Sequence, residues 1–203
     1  MNNIMEEVNQ LLGISDSYKV PDKILEILLQ NDYTSQQMYY SFMELFQYDL
    51  SYDWFFDYFQ DEHADRKNKK QDFTPPCINI LMSKLCGNDK GVVYEPTAGT
   101  GGIIIKDWDR RRKKELPWAF NPMAVWYIAE ELSEKTIPFL LFNLSIRGIN
   151  ANVVHCNSLT RETLAMYAVL NKNNDPMSFS SVYRLPNNDK YANLFKVRFI
   201  KGT

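Results

Sequence analysis

Apolar residues in the first third of the chain recur at helical spacing. Ile24, Leu25, Ile27, Leu28 and Leu29 follow Pro21-Asp22, a helix start with proline in its first turn, and residues 1 to about 65 read as helical. Over residues 39–59 aromatic side chains crowd the sequence, among them Phe42, Phe46, Trp54, Phe55 and Tyr58. Rings at that density can stack bases. The stronger expectation is that they pack helices together and against a neighbouring unit, because each ring buries a large area.

The polar run 61–72 predicts a linker. Beyond it, short apolar runs alternate with helical stretches. Strands are predicted at 92–94, 125–129, 152–155, 179–183 and 195–200. Helices are predicted at 78–85, closed by Gly87, from Ile103 onward, at 136–147, stopped by Gly148, and at 160–170. Strands alternating with helices imply parallel crossovers. The chain therefore divides into a helical N-terminal segment, 1–70, and a doubly wound α/β unit, 71–203.

Composition narrows the class. A chain of 203 residues fits one substantial domain or one domain with a small appendage. Its apolar runs are too short to span a bilayer, and MNNIMEEVNQ lacks the basic-then-apolar layout of a secretory signal. Cys77, Cys86 and Cys156 are odd in number and form no CxxC pair, which argues against a disulfide framework or a zinc knuckle and for a reducing cytoplasm. No metal site and no membrane partner are expected. The net charge of −2 disfavours coating nucleic acid by bulk charge but permits a local basic patch. Two basic clusters, 66–70 and 110–114, read as a solvated linker and a solvated helix face. His63 and His155 read as surface or structural residues.

The candidate chemistry begins at Tyr94-Glu95-Pro96-Thr97-Ala98-Gly99-Thr100-Gly101-Gly102, between a predicted strand and a predicted helix. Such a turn brings backbone N–H groups close to a ligand at the carboxyl edge of the sheet. The phosphate loop GxxxxGK[ST] is excluded, because no Lys-Ser or Lys-Thr pair follows Gly102. The dinucleotide pattern GxGxxG fails at Ile104. What remains is a loop around an uncharged or zwitterionic ligand. Glu95 beside it disfavours a pyrophosphate and suits an ammonium group.

Here the sequence resembles the amino-type DNA methyltransferases that use S-adenosylmethionine, most of all the modification subunits of type I restriction-modification systems and their adenine-N6 relatives. Phe73-Thr74-Pro75 is similar to the family's aromatic-Thr-Pro motif, which helps hold the methionine end. Glu95-Pro96-Thr97-Ala98-Gly99-Thr100-Gly101-Gly102 resembles its Asp-Pro-x-Ala-Gly-Thr-Gly-Gly loop, with Glu for Asp. The resemblance places the ribose-binding acid at Glu131, with Leu132 against the adenine. Asn157-Ser158-Leu159 looks like the family's Asp-Ser/Thr-Leu, with an amide where the acid meets the adenine amine. The resemblance implies a Rossmann-like methyltransferase fold, S-adenosylmethionine as cofactor and DNA as substrate.

One motif departs from the pattern. The family's Asn/Asp/Ser-Pro-Pro-aromatic motif holds the flipped adenine and favours the developing tetrahedral nitrogen. At the corresponding place stand Leu185, Pro186, Asn187 and Asn188, of which only Pro186 fits. Asp175-Pro176 precedes the strand and reads as a turn. With only 191–203 beyond, the sheet is expected to be incomplete at its C-terminal edge. Three readings stay open: a compact S-adenosylmethionine-dependent DNA adenine-N6 methyltransferase, acting alone or with a protein partner or as a homo-oligomer, a catalytically inactive binding or regulatory relative, and a vestigial pocket. Abundant Asn, Lys, Tyr and Ile suggest a bacterial or bacteriophage source.

Overall fold

In the computed structural model the described residues are 2–56, 58, 74–85 and 90–200. The predicted linker, Phe73, Cys86, Gly87, His63 and the basic cluster 66–70 lie outside them. Helices α1 (Asn2–Leu11), α2 (Val20–Gln30) and α3 (Tyr33–Leu45) come first. Pro21 lies at the start of α2, where a missing N–H costs nothing. Asp32 caps α3 by accepting from the N–H groups of Thr34 and Ser35 at 2.8 and 3.3 Å.

After α4 (Pro76–Leu85) the chain enters the sheet: β1 (Gly91–Glu95), α5 (Gly102–Arg112), β2 (Val125–Glu131), α6 (Ile137–Ile146), β3 (Ala151–Cys156), β4 (Glu162–Leu170), β5 (Ser181–Arg184), α7 (Asp189–Phe195) and β6 (Arg198–Phe199). Strand order is β1-β2-β3-β4-β5, and β6 pairs with the first two residues of β4. The pairs β1–β2, β2–β3 and β4–β6 are parallel, giving a Rossmann-like α/β fold with a mostly parallel sheet.

Two expectations are corrected. Residues 160–170 form a strand rather than a helix. Leu164, Ala165, Met166 and Leu170 suit a helix by propensity, and a short apolar run buried on both faces has no periodicity to reveal a strand. Pairing with β3 and β5 decides the matter, and β4 runs antiparallel to both. The connection 157–161 is too short for a parallel crossover. Residues 195–200 are also not one strand: α7 closes at Phe195, Lys196 takes a left-handed φ of 53°, and only Arg198–Phe199 pair.

The core follows the alternation of the strands. Val93, Tyr127, Ala129, Ala151 and Val153 face α5, α6 and the N-terminal helices in one continuous cluster. Helix α6, IPFLLFNLSI, is apolar on all sides because it is buried on all sides, between the sheet and α2. Against it pack the aromatics of the N-terminal run. Phe42 and Phe142 have ring centroids 4.8 Å apart, Phe55 and Phe139 4.7 Å, and Phe46 stacks on Trp54 at 4.6 Å. These rings pack as expected, and each fully buried Phe contributes about 1.5–3 kcal/mol over leaving it in water. A smaller cluster of Val154, Cys156, Met166 and Val197 lies on the opposite face, under Leu185, Tyr191, Phe195 and Phe199.

Candidate functional site

The carboxyl ends of β1, β2 and β3 converge on the glycine loop. Gly101 takes φ +100°, a conformation that L side chains rarely adopt, and so turns the chain from β1 into α5. At Gly102 an added Cβ would lie 2.4 Å from Asn79 Nδ2 of α4, so glycine is what lets α4 approach. The loop encloses one side of a cleft of about 430 Å³, a size suited to a small organic ligand.

Along the loop, each step is held by a different element. Ser158 donates to the carbonyl of Pro96 at 2.5 Å. Gly99 N–H donates to Glu131 Oε2 at 2.9 Å, while Glu131 Oε1 accepts from Ser133 N–H at 2.8 Å. Thr100 donates its hydroxyl to Asp53, and Asn143 of α6 donates to both Asp53 Oδ1 and the Thr100 carbonyl at 2.8 Å. Asn79 then packs on Gly102. Followed along the loop, the cleft's walls are Ser158 at Pro96, Glu131 at Gly99, Asp53 at Thr100 and Asn79 at Gly102, with Thr74, Leu132, Asn157 and Leu159 also lining it.

Of the residues expected to bind cofactor, Thr74, Pro96, Thr97, Gly99, Glu131, Leu132, Asn157, Ser158 and Leu159 line this cleft. Pro75, Glu95 and Gly101 are not among its lining residues, and Phe73 lies outside the described ones. Glu95 instead accepts from the N–H and hydroxyl of its neighbour Thr97, both at 3.4 Å. Asn157 uses its Oδ1 to accept from Leu159 and Thr160 N–H at 2.9 and 3.1 Å, fixing the turn into β4. That oxygen, assigned to an adenine amine by the resemblance, already has two donors.

Leu185, Pro186, Asn187 and Asn188 follow β5. They stand at the other end of the sheet from β1 and outside the cleft lining. Asp175 makes the expected turn, accepting from Met177 N–H at 2.9 Å. The basic cluster 110–114 departs from a solvated face. Arg111 is buried and pairs with Asp107 at 2.6 Å, and Arg112 and Lys113 pair with Asp109. His155 is buried against the Leu132 carbonyl at 3.1 Å, a structural role.

Asp53, Phe56, Asn79 and Thr136 line the cleft without having been singled out by sequence. The available signal was an acid embedded in an aromatic run, Asp53-Trp54-Phe55-Phe56, since a carboxylate among buried rings needs dedicated partners.

Charge defines what the cleft can take. Burial raises the carboxyls of Asp53 and Glu131 above the usual range, against the hydrogen bonds that lower them. Burial also raises that of Glu95 nearby. No Lys or Arg is among the described lining residues. Such a cleft repels a polyphosphate and favours a ligand with hydroxyl groups and positive charge. Among the described residues no cluster could hold a metal ion, and no helix is long and apolar enough to cross a membrane.

A Rossmann-like sheet with a glycine loop at its carboxyl edge places the cleft where open α/β sheets bind their ligands. Residues 49–197 match the model of the N-6 DNA methylase family, and the chain belongs to that family. No curated protein matches the chain, and no solved structure does.

Proposed function

We propose that the cleft binds S-adenosylmethionine and that the chain serves the adenine-N6 methylation of DNA in the manner of type I modification subunits, with the base-holding side supplied by a partner. The observation that carries this reading is the ordered set of walls along the glycine loop. Glu131, in the middle, offers carboxylate acceptors for ribose hydroxyls. Leu132 and Leu159, both exposed, offer apolar surface for an adenine ring. S-adenosylmethionine supplies an activated methyl group, and the residues of this chain bind and orient it while the buried carboxylates favour its positive charge. The partner enters because open α/β sheets bind ligands where strand order reverses. Here β1 carries the loop, and no described strand pairs with its outer side.

A second reading is a methyltransferase-like binding or regulatory protein without turnover. Two placements favour it: Leu185–Asn188 at the far edge, and the Asn157 oxygen already occupied in its turn. Tritiated S-adenosylmethionine with mixed-sequence DNA separates the readings. Label in adenine only when a partner protein is added is the result expected. Label from the isolated chain would remove the need for a partner. Cofactor binding without label under either condition would favour the regulatory reading.

A further inference from the structure

Part of the cleft is built from residues that precede β1. Asp53 presents a carboxylate with room for about four hydrogen bonds. Three donors reach it: Asn143 Nδ2 at 2.8 Å and Phe55 N–H at 3.0 Å on Oδ1, and the Thr100 hydroxyl on Oδ2. One acceptor position is left, on Oδ2. Asn79 is 6% exposed. Its Nδ2 faces the Thr74 carbonyl at 3.5 Å, and its Oδ1 is buried with no hydrogen-bond partner. An acceptor left in that state has lost its water without gaining a donor in exchange. Two oxygens, one charged and one neutral, thus lack donors on residues that line one cleft and meet the glycine loop at Thr100 and Gly102.

Resting on the S-adenosylmethionine reading above, we infer that Asp53 and Asn79 hold the α-ammonium group of the methionine moiety. An ammonium brings three N–H donors and a positive charge, which suits an unfilled carboxylate position and an orphaned amide oxygen together. Order along the loop agrees: Ser158 sits at Pro96, Glu131 at Gly99, Asp53 at Thr100 and Asn79 at Gly102, so the ammonium lies beyond the ribose from the adenine. Glu95 does not fill this role, because it is outside the cleft lining and turned to Thr97. The family match begins at residue 49 and so takes in Asp53, although that residue lies in the aromatic run before the α/β unit.

Asp53 also braces the loop, so the test must separate binding from bracing. Calorimetry with S-adenosylhomocysteine and with its analogue lacking the α-amino group, on wild type, Asp53→Asn and Asn79→Ala, does so. Wild type is expected to prefer the amino-bearing ligand by about 10- to 100-fold, the range for a hydrogen bond to a charged group. Asp53→Asn should bring the two ligands to within about threefold of each other, as the loss of such a bond requires. Asn79→Ala, which removes the unpartnered oxygen and whose folding is checked by thermal unfolding, should narrow the gap partway. Equal loss of both ligands in Asp53→Asn would make it a brace and overturn the inference, as would an unchanged preference in both variants. If wild type binds neither ligand, the cofactor reading falls and this inference with it. If wild type binds both equally, only the ammonium assignment falls.

Discussion

The two edges of the sheet are finished to different degrees. At the far edge, β4 has partners along its length: β5 on residues 167–170 and β6 on 162–163. The outer side of β5 is met by Asn31, whose amide exchanges hydrogen bonds with Val182 N–H and C=O at 2.7 and 2.6 Å. Arg161 fastens this edge to the middle of the sheet. It pairs with the buried Glu130 at 2.6 Å and donates to the Phe195 and Lys196 carbonyls at the end of α7. At the near edge, Val92 and Tyr94 of β1 are 66% and 53% exposed, and no described strand pairs beyond them. Parallel strands are ordinarily covered on both faces. The edge strand without a described partner is thus the one that leads into the glycine loop and its cleft.

Glu130 and Glu131 put the contrast into adjacent residues. Alternation along β2 sends Glu131 to the glycine loop and Glu130 to Arg161. One is available to a ligand and the other belongs to the architecture. The sequence could assign Glu131 only through the family pattern, since period-two alternation says that the two differ without saying which faces the ligand.

The largest effect is expected from breaking the far edge. Arg161→Met leaves Glu130 buried without its partner and should cost about 3 kcal/mol, measured by urea unfolding. A loss below about 1 kcal/mol, the size of a surface pair, would mean that the far edge is not held by this ion pair.

Acid should act on the two regions with opposite signs. Asp53 and Glu131 have raised carboxyls, so the folded state binds their protons more readily than the unfolded state does. Their contribution to stability is full at low pH and is lost as pH rises through the raised values. At Glu130 burial opposes the charge, but the hydrogen bonds from Arg161 and Tyr94 outweigh it and hold the carboxyl below the usual range. Its contribution is present at neutral pH and is lost as pH falls through that depressed value. Stability against pH is therefore expected to rise on mild acidification and to fall on stronger acidification. Asp53→Asn with Glu131→Gln should flatten the rise, and Glu130→Gln the fall. Glu95 is raised by burial as well, so a rise that survives once Glu95→Gln is added to the double variant would contradict the assignment.

The smallest effect should come from the open edge. Val92→Thr, at a β1 position that is 66% exposed, is expected to change the stability of the isolated chain by no more than about 0.5 kcal/mol, as at exposed positions generally. A change above about 1 kcal/mol would show that the β1 edge is covered within the chain itself.

What was legible in the sequence follows from how local each signal is. The glycine loop, the strand ahead of it and the helix behind it are set by neighbouring residues, and all three stand where the pattern put them. The aromatic run declared its burial through density alone. Strand β4 was misread because Leu, Ala and Met prefer a helix, while a strand is imposed by the nonlocal partner β3. Asp53 and Asn79 were missed because what they share is a cleft rather than a spacing.

Calorimetric titration of wild type and Glu131→Ala with S-adenosylmethionine asks whether the glycine-loop cleft is a site for that cofactor gripped at Glu131. One saturable site in wild type, weakened by about tenfold or more in the variant as expected for charge-assisted hydrogen bonds, is the predicted result. No heat at millimolar cofactor, or equal affinity in the two proteins, would contradict it.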